Sequence, residues 1–154
     1  FLFQDELLFH YDKYTKGLPW NKRMVKILCV GWDNGFTFPY TNIEGDLVNI
    51  KWHKKKQVKG HGSTYIFPMW QMMHNYDVDK PLYVVEGEKD VVSMVSSGKQ
   101  AITLNNGAGA KWPEELVVLI SNRFKLVYPH YDNDDAGRAA EKAFIERFKP
   151  YAVG

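Results

Sequence analysis

Three carboxylates stand where they could hold a cation between them. Glu86 ends the apolar run Leu82-Tyr83-Val84-Val85, and Asp132 and Asp134 follow a second stretch, Lys125-Leu126-Val127-Tyr128. A continuous apolar run bounded by Pro81 and Gly87 reads as a strand covered on both faces, as parallel strands are. The carboxyl ends of such strands form the crevice where open α/β sheets bind ligands, so both acid groups could belong to one edge. Like charges gathered there raise each other's pKa unless a cation relieves them. Hard carboxylate oxygens without His or Cys partners favour Mg2+, with Mn2+ as a substitute, held by one or two carboxylates together with phosphates and waters.

Two other stretches could meet phosphate. Lys51, Lys54, Lys55, Lys56 and Lys59, with His53 and His61 interleaved, run into Gly60 and Gly62. Such a run is either a solvated face or a surface that neutralises a nucleic-acid backbone or a nucleoside triphosphate. The loop 105–110 contains Gly107 and Gly109, which would let backbone amides approach a phosphate. It lacks the third glycine of a dinucleotide fingerprint, and Gly98-Lys99 is no P-loop because Gln100 follows. Nor do residues 132–143 form a calcium loop, since Ala136 and Ala143 occupy ligand positions.

The elements that must position these groups are legible in outline. Apolar residues at 7, 8, 11 and 14 predict a helix over 4–16, stopped by Gly17-Leu18-Pro19. From Val25 to Trp52, short apolar runs (27–30, 36–38, 47–50) alternate with the turn signals Asp33-Asn34-Gly35 and Glu44-Gly45-Asp46, which predicts antiparallel hairpins. A short helix over 69–76 and a polar linker over 75–80 precede the first acid-bearing strand. Beyond it come a helix over 88–97 ended by Gly98, a strand over 101–104, and a helix over 138–148. Pro129 removes a ladder donor from what this pattern makes an interior strand. Asp134 and Asp135 are candidate helix caps, Asp90 is a candidate first-turn acid, and Trp20, Trp32, Trp52 and Trp70 are read as core, with base stacking as the alternative.

Composition bounds the class. With 45% hydrophobic and 25% charged residues in 154, the chain suits one domain or two small subdomains. A net charge of +2 is too small to argue for nucleic acid by itself, so only the placement of charge can. Cys29 is alone, which leaves no internal disulfide and no Cys-rich zinc site within this chain. Asp5 and Glu6 interrupt any signal-peptide core, and no apolar run is long enough for a membrane helix, so no membrane partner and a cytoplasmic location are expected.

Glu86-Gly87-Glu88-Lys89-Asp90 resembles the E-G-x-x-D pattern of the TOPRIM domain, and Asp132 to Gly137 resembles its D-x-D-x-x-G pattern. Bacterial-type primases, topoisomerases and some nucleases share that module. The stretch Gly35-Phe36-Thr37-Phe38-Pro39-Tyr40, the turn Glu44-Gly45-Asp46 and the basic strand after it resemble the subdomain that precedes TOPRIM in primase cores, phage helicase-primases above all. The resemblance implies an α/β fold in which a TOPRIM parallel sheet flanked by helices (80–154) follows a small mixed α+β subdomain with antiparallel hairpins (1–79). It also implies Mg2+-dependent synthesis of RNA primers on a single-stranded DNA template from ribonucleoside triphosphates, with a replicative helicase as a partner and a phage or mobile element as the source. The roles it implies are metal binding for Asp132 and Asp134, and metal binding or proton acceptance for Glu86. Lys51, Lys54, Lys56, Lys89, Gly107 and Gly109 would hold phosphates or template, and Gly87, Asp90 and Gly137 support the motifs. Relatives continue into another acidic motif and a helical subdomain, which makes the chain, on this reading, a piece of a longer protein. The alternatives are a TOPRIM nuclease or topoisomerase fragment that cleaves nucleic acid, and a nucleic-acid-binding module without catalysis.

Overall fold

The structure is a computed structural model, and it describes residues 3–53, 63–107 and 109–151. The N-terminal helix expected over 4–16 is two short ones, α1 (Gln4–Phe9) and α2 (Tyr11–Tyr14), because His10 leaves helical geometry at φ −110°, ψ 31°. The apolar run 27–30 is no strand. It closes a third helix, α3 (Lys22–Ile27), whose N-cap Asn21 accepts a 2.9 Å hydrogen bond from the Arg23 amide. The reason is spacing: Val25 and Leu28 lie one turn apart and are both buried, and Cys29 then turns the chain at a φ of 59°.

The expected hairpins follow. Strands β1 (Gly31–Trp32), β2 (Phe36–Thr41) and β3 (Leu47–Trp52) form an antiparallel sheet in that order. Asn34 and Gly35, at φ 53° and 154°, make the first turn. Gly35 has no room for a side chain, since a Cβ there would lie 2.2 Å from the His53 carbonyl oxygen.

The second sheet has the order β4-β6-β5-β7, built from β4 (Ile66–Phe67), β5 (Leu82–Val84), β6 (Gln100–Leu104) and β7 (Val127–Pro129). Strand β5 runs parallel to both β6 and β7, while β4 pairs antiparallel with β6. Helices α4 (Met69–Asn75), α5 (Glu88–Ser96), α6 (Glu114–Arg123) and α7 (Asp135–Phe148) complete it, α6 being absent from the sequence-based expectation. Pro129 is accommodated because β7 is an edge strand among the described residues. The amide of His130 donates to Val84 and the carbonyl of Leu126 accepts from Leu82, so the even-numbered residues face β5 and the Pro129 nitrogen faces away.

Each face of this sheet has its own core, which explains the unbroken apolar run of β5. Leu82, Val84, Ile102 and Leu104 pack with Met72, Ile120, Phe144 and Phe148 from α4, α6 and α7. On the opposite face Val85, Val91, Val92 and Ala101 pack with Leu7, Val25, Phe38 and Tyr40. Helix α5 is thus sandwiched between the two sheets, and Trp20 and Asn21 tie it down by hydrogen bonds to Ser93 and Ser96 of 3.2 and 2.9 Å. No helix among the described residues is long and apolar enough to cross a membrane.

Candidate functional site

The carboxyl ends of β5 and β7, neighbours in the sheet, bring the two acid motifs together. The Asp132 amide donates to Glu86 Oε1 at 3.2 Å. Burial, and then a hydrogen bond shared with the Asp132 side chain, raise the Glu86 pKa above the ordinary carboxylate value, and the charges of Asp132 and Asp134 push it the same way. Asp90 is raised as well, first by burial and then by the Asp132 charge, although the Gly87 amide hydrogen-bonds to it. Glu86, Asp90, Asp132 and Asp134 therefore share one electrostatic site, as the spacing of the motifs requires.

Asp134 has a structural duty too. It is the N-cap of α7, accepting a 2.7 Å hydrogen bond from the Gly137 amide through Oδ1. That bond engages one carboxylate oxygen. Asp135 pairs with Arg138 at 2.5 Å. Gly137 is needed at this turn for space: a Cβ would lie 1.8 Å from the Asp132 carbonyl oxygen and 3.0 Å from Asp134 Oδ1. Gly137→Ala must therefore move the backbone that carries Asp132. A loss of about 2 kcal/mol in urea unfolding is the expected result, and a loss below about 0.5 kcal/mol would show that the turn yields freely.

The acid edge fits a hard divalent cation in its donor chemistry: all its ligating atoms are carboxylate oxygens, and at Glu86 and Asp90 the neighbouring charges add to burial in opposing ionisation. Among the described residues, no group of three or more His, Cys, Asp or Glu side chains closes into a metal cage. Mg2+ asks for less, since it keeps waters and binds through one or two carboxylates plus phosphate oxygens.

Of the lysines in the basic run, Lys51 is the one among the described residues. Lys51 of β3 points at Glu88, with Nζ 3.2 Å from Oε2, and donates to the Asn105 carbonyl oxygen at 3.0 Å. Lys54 and Lys56 lie outside the described residues. Lys89, in the first turn of α5, places its ammonium 5.3 Å above the Phe36 ring centroid. Gly107, at φ 83°, borders Glu86: a Cβ there would sit 4.0 Å from the Glu86 carbonyl oxygen. Its amide donates to the Leu104 carbonyl at 3.0 Å, and a Cβ at Gly109 would meet nothing within 4 Å.

Two residues escape the motif reading. Glu88 is 1% exposed, and it accepts hydrogen bonds from the Tyr40 hydroxyl and Lys51, with His53 Nε2 3.4 Å from Oε1. Burial alone would raise its pKa, but His53, Lys51, the Tyr40 hydroxyl and a backbone hydrogen bond together outweigh burial and hold it below the ordinary value. Asn105, also buried, accepts from the Tyr65 amide at 2.8 Å and donates to the Ser63 carbonyl at 3.2 Å. Glu88 and Asn105 join β3 to the loops beside Glu86. The only sequence signal for Glu88 is a charged residue on the third position of a motif whose pattern leaves that position open.

Comparisons with known proteins agree with this architecture. Residues 83–153 match the Toprim-like family model. No match to a curated protein was found. Among solved structures, the DnaG primase catalytic domain bound to single-stranded DNA superposes with a TM-score of 0.76 at 16% identity, covering 97% of this chain and 63% of that one. The Aquifex aeolicus primase, with zinc-binding and RNA polymerase domains, gives 0.66 at 15%, covering 92% and 47%. The bacteriophage T7 primase domains bound to an RNA/DNA hybrid and dTTP, in a complex with the phage DNA polymerase, give 0.60 at 18%, covering 88% and 71%. The part of the chain from 83 to 153 is similar to the Toprim-like family, over a little under half of its length. Together with the hairpin sheet before it, the chain has the fold of a TOPRIM primase core. It spans 63% of the DnaG catalytic domain and 47% of the Aquifex structure.

Proposed function

We propose that the chain is a DNA primase catalytic core, a nucleotidyltransferase that synthesises RNA primers on single-stranded DNA. The observation that carries this reading is the meeting of Glu86, Asp90, Asp132 and Asp134 at the tips of β5 and β7, within a fold that primase cores share. Chain growth joins a 3′-hydroxyl to the α-phosphorus of a ribonucleoside triphosphate: the new P–O bond forms as the bond to pyrophosphate breaks. Such a reaction rests on positioning and on neutralising charge. Asp132 and Asp134 would hold Mg2+, which when bound supplies that neutralisation. Glu86 would share in holding it or accept the hydroxyl proton, a role its raised pKa suits. Lys51, Lys54, Lys56 and Lys89, with the glycine loop at Gly107 and Gly109, would face phosphates or template. Lys51 would do so from its place on Glu88. The organisation into 1–79 and 80–154, a replicative helicase partner, a phage or mobile-element source and a cytoplasmic location belong to the same reading.

The test is direct. The chain is incubated with Mg2+, labelled ribonucleotides and single-stranded DNA, and the lengths of the products are measured. Products that grow by ribonucleotide addition support the primase. Shortened DNA would favour the nuclease or topoisomerase alternative, and an unchanged strand would leave a binding module.

Metal binding has its own readout. Mg2+ or Mn2+ should raise the melting temperature of the wild-type chain by mass action on the folded state. The double substitution Asp132→Asn, Asp134→Asn should abolish that rise, and equal rises in both proteins would remove the ligand assignment.

A further inference from the structure

At the end of the β2–β3 hairpin away from Lys51, apolar side chains stand in water. Ile27, Ile43, Leu47 and Trp70 are each between 38% and 44% exposed, and they are four of the nine large apolar residues exposed among those described. Ile27 closes α3, Trp70 lies in the first turn of α4, Ile43 belongs to the hairpin turn and Leu47 opens β3. A cleft of about 310 Å3 separates these elements, with Ile27, Thr41, Glu44, Gly45 and Trp70 among its walls. The walls are tied together. The Gln71 side-chain amide donates to the Ile27 carbonyl at 2.8 Å, and Trp70 rests on Gly45, where a Cβ would lie 3.0 Å from the indole Cδ1. Lys51 is four residues along β3 from Leu47, roughly 13 Å at strand rise, so an occupant of this corner leaves the acid edge open.

Among the described residues, Glu44 is the one charged side chain on these walls, and it forms no ion pair there. Lys26, next to Ile27, and His74, stacked on Trp70, do not line the cleft. An apolar surface edged by a carboxylate answers to an apolar side chain with a cation beside it. The volume is at the lower end of small-molecule pockets, about 300–1,000 Å3, and apolar surface continues outside it over Ile43 and Leu47, so the matching occupant is longer than the cleft. An added strand is disfavoured. Strand β3 is an edge among the described residues, and because the His53 amide donates to Phe36, its even-numbered residues face outward. The Ile50 amide, in the middle of that edge, is already taken by Asn49 Oδ1 at 2.9 Å.

We infer that this corner docks an amphipathic helix of a partner protein. One apolar side chain of that helix fills the cleft, its neighbours three and four positions on cover Ile43 and Leu47, and a lysine or arginine beside them meets Glu44. The inference goes beyond the proposed chemistry and holds whether or not the chain joins nucleotides.

The test uses the whole chain and two labelled synthetic helices of about four turns, one with a leucine stripe flanked by lysines and one with the same stripe flanked by glutamates. Binding is followed by fluorescence anisotropy, and the contact is mapped by amide and indole chemical shifts. The lysine helix should bind and move the Trp70 indole resonance, while the glutamate helix should bind far more weakly. The double substitution Ile43→Ser, Leu47→Ser, at exposed positions, should weaken the lysine helix roughly tenfold. Glu44→Lys should reverse the preference between the two helices. Failure of the lysine helix to bind, equal binding by wild type and both variants, or shifts confined to residues away from Trp70 would each overturn the inference. A wild-type dimer in sedimentation equilibrium that Leu47→Ser dissolves would assign the corner to a second copy of the chain and overturn the choice of a partner helix.

Discussion

Glu86→Gln should lower nucleotide joining by roughly 100-fold or more while leaving single-stranded DNA binding almost unchanged. The substitution keeps the shape of the side chain and removes its charge and its basicity. Glu86 is where the site concentrates its electrostatic conflict, since burial, Asp132 and Asp134 all favour the protonated form. A group in that state either gains a cation or takes up a proton, and the amide can do neither in the same way. Its geometry survives the change: the Asp132 amide can still donate to the remaining amide oxygen, so the tips of β5 and β7 should stay in register. The measurement is single-turnover joining on a fixed template, with binding followed separately by anisotropy. Wild-type turnover in the variant would reduce Glu86 to a residue that orders the Asp132 turn.

Residues that announce themselves by local pattern were legible in the sequence. The apolar run ending at Glu86 is visible because β5 is covered on both faces, and the Asp134 cap and Gly137 are visible because the turn into α7 is local. The hairpins followed from Asn34-Gly35 and Gly45, where positive φ is required. What the sequence hid depends on distant partners. Strand β4 has two residues and gains its meaning only against β6, nearly forty positions later, through the pairs Ile66↔Leu104 and Phe67↔Thr103. The run Ile27 to Val30 has strand-like residues, and the helix won there because Val25 and Leu28 share a buried face. Helix α6 carried a readable signal in Leu116, Val117 and Ile120, all turned to the core on one face. Lys51 looked like a surface cation until its carboxylate partner, 37 residues away in sequence, was in place.

That partner should dominate stability. Glu88→Ala would leave the Tyr40 hydroxyl, itself buried, without its acceptor, and would leave Lys51 and His53 facing an apolar void in place of a carboxylate. Removing one member of a buried charged network is costly because the remaining groups keep their desolvation penalty. Lys51 and His53 retain about a quarter of their side-chain exposure and Lys51 keeps the Asn105 carbonyl, which moderates the loss. The expected destabilisation is about 3 kcal/mol, read by urea unfolding at neutral pH. The companion variant Glu88→Gln should cost less, because the amide oxygen still accepts from Tyr40 while the charge facing Lys51 is gone. Adding Lys51→Met to Glu88→Ala should recover part of the stability, since it removes a cation that has lost its counter-charge. If Glu88→Ala unfolds within about 0.5 kcal/mol of wild type, the network does not hold the two sheets together. In that case the depressed pKa of Glu88 would reflect proximity to cations without contributing to the fold.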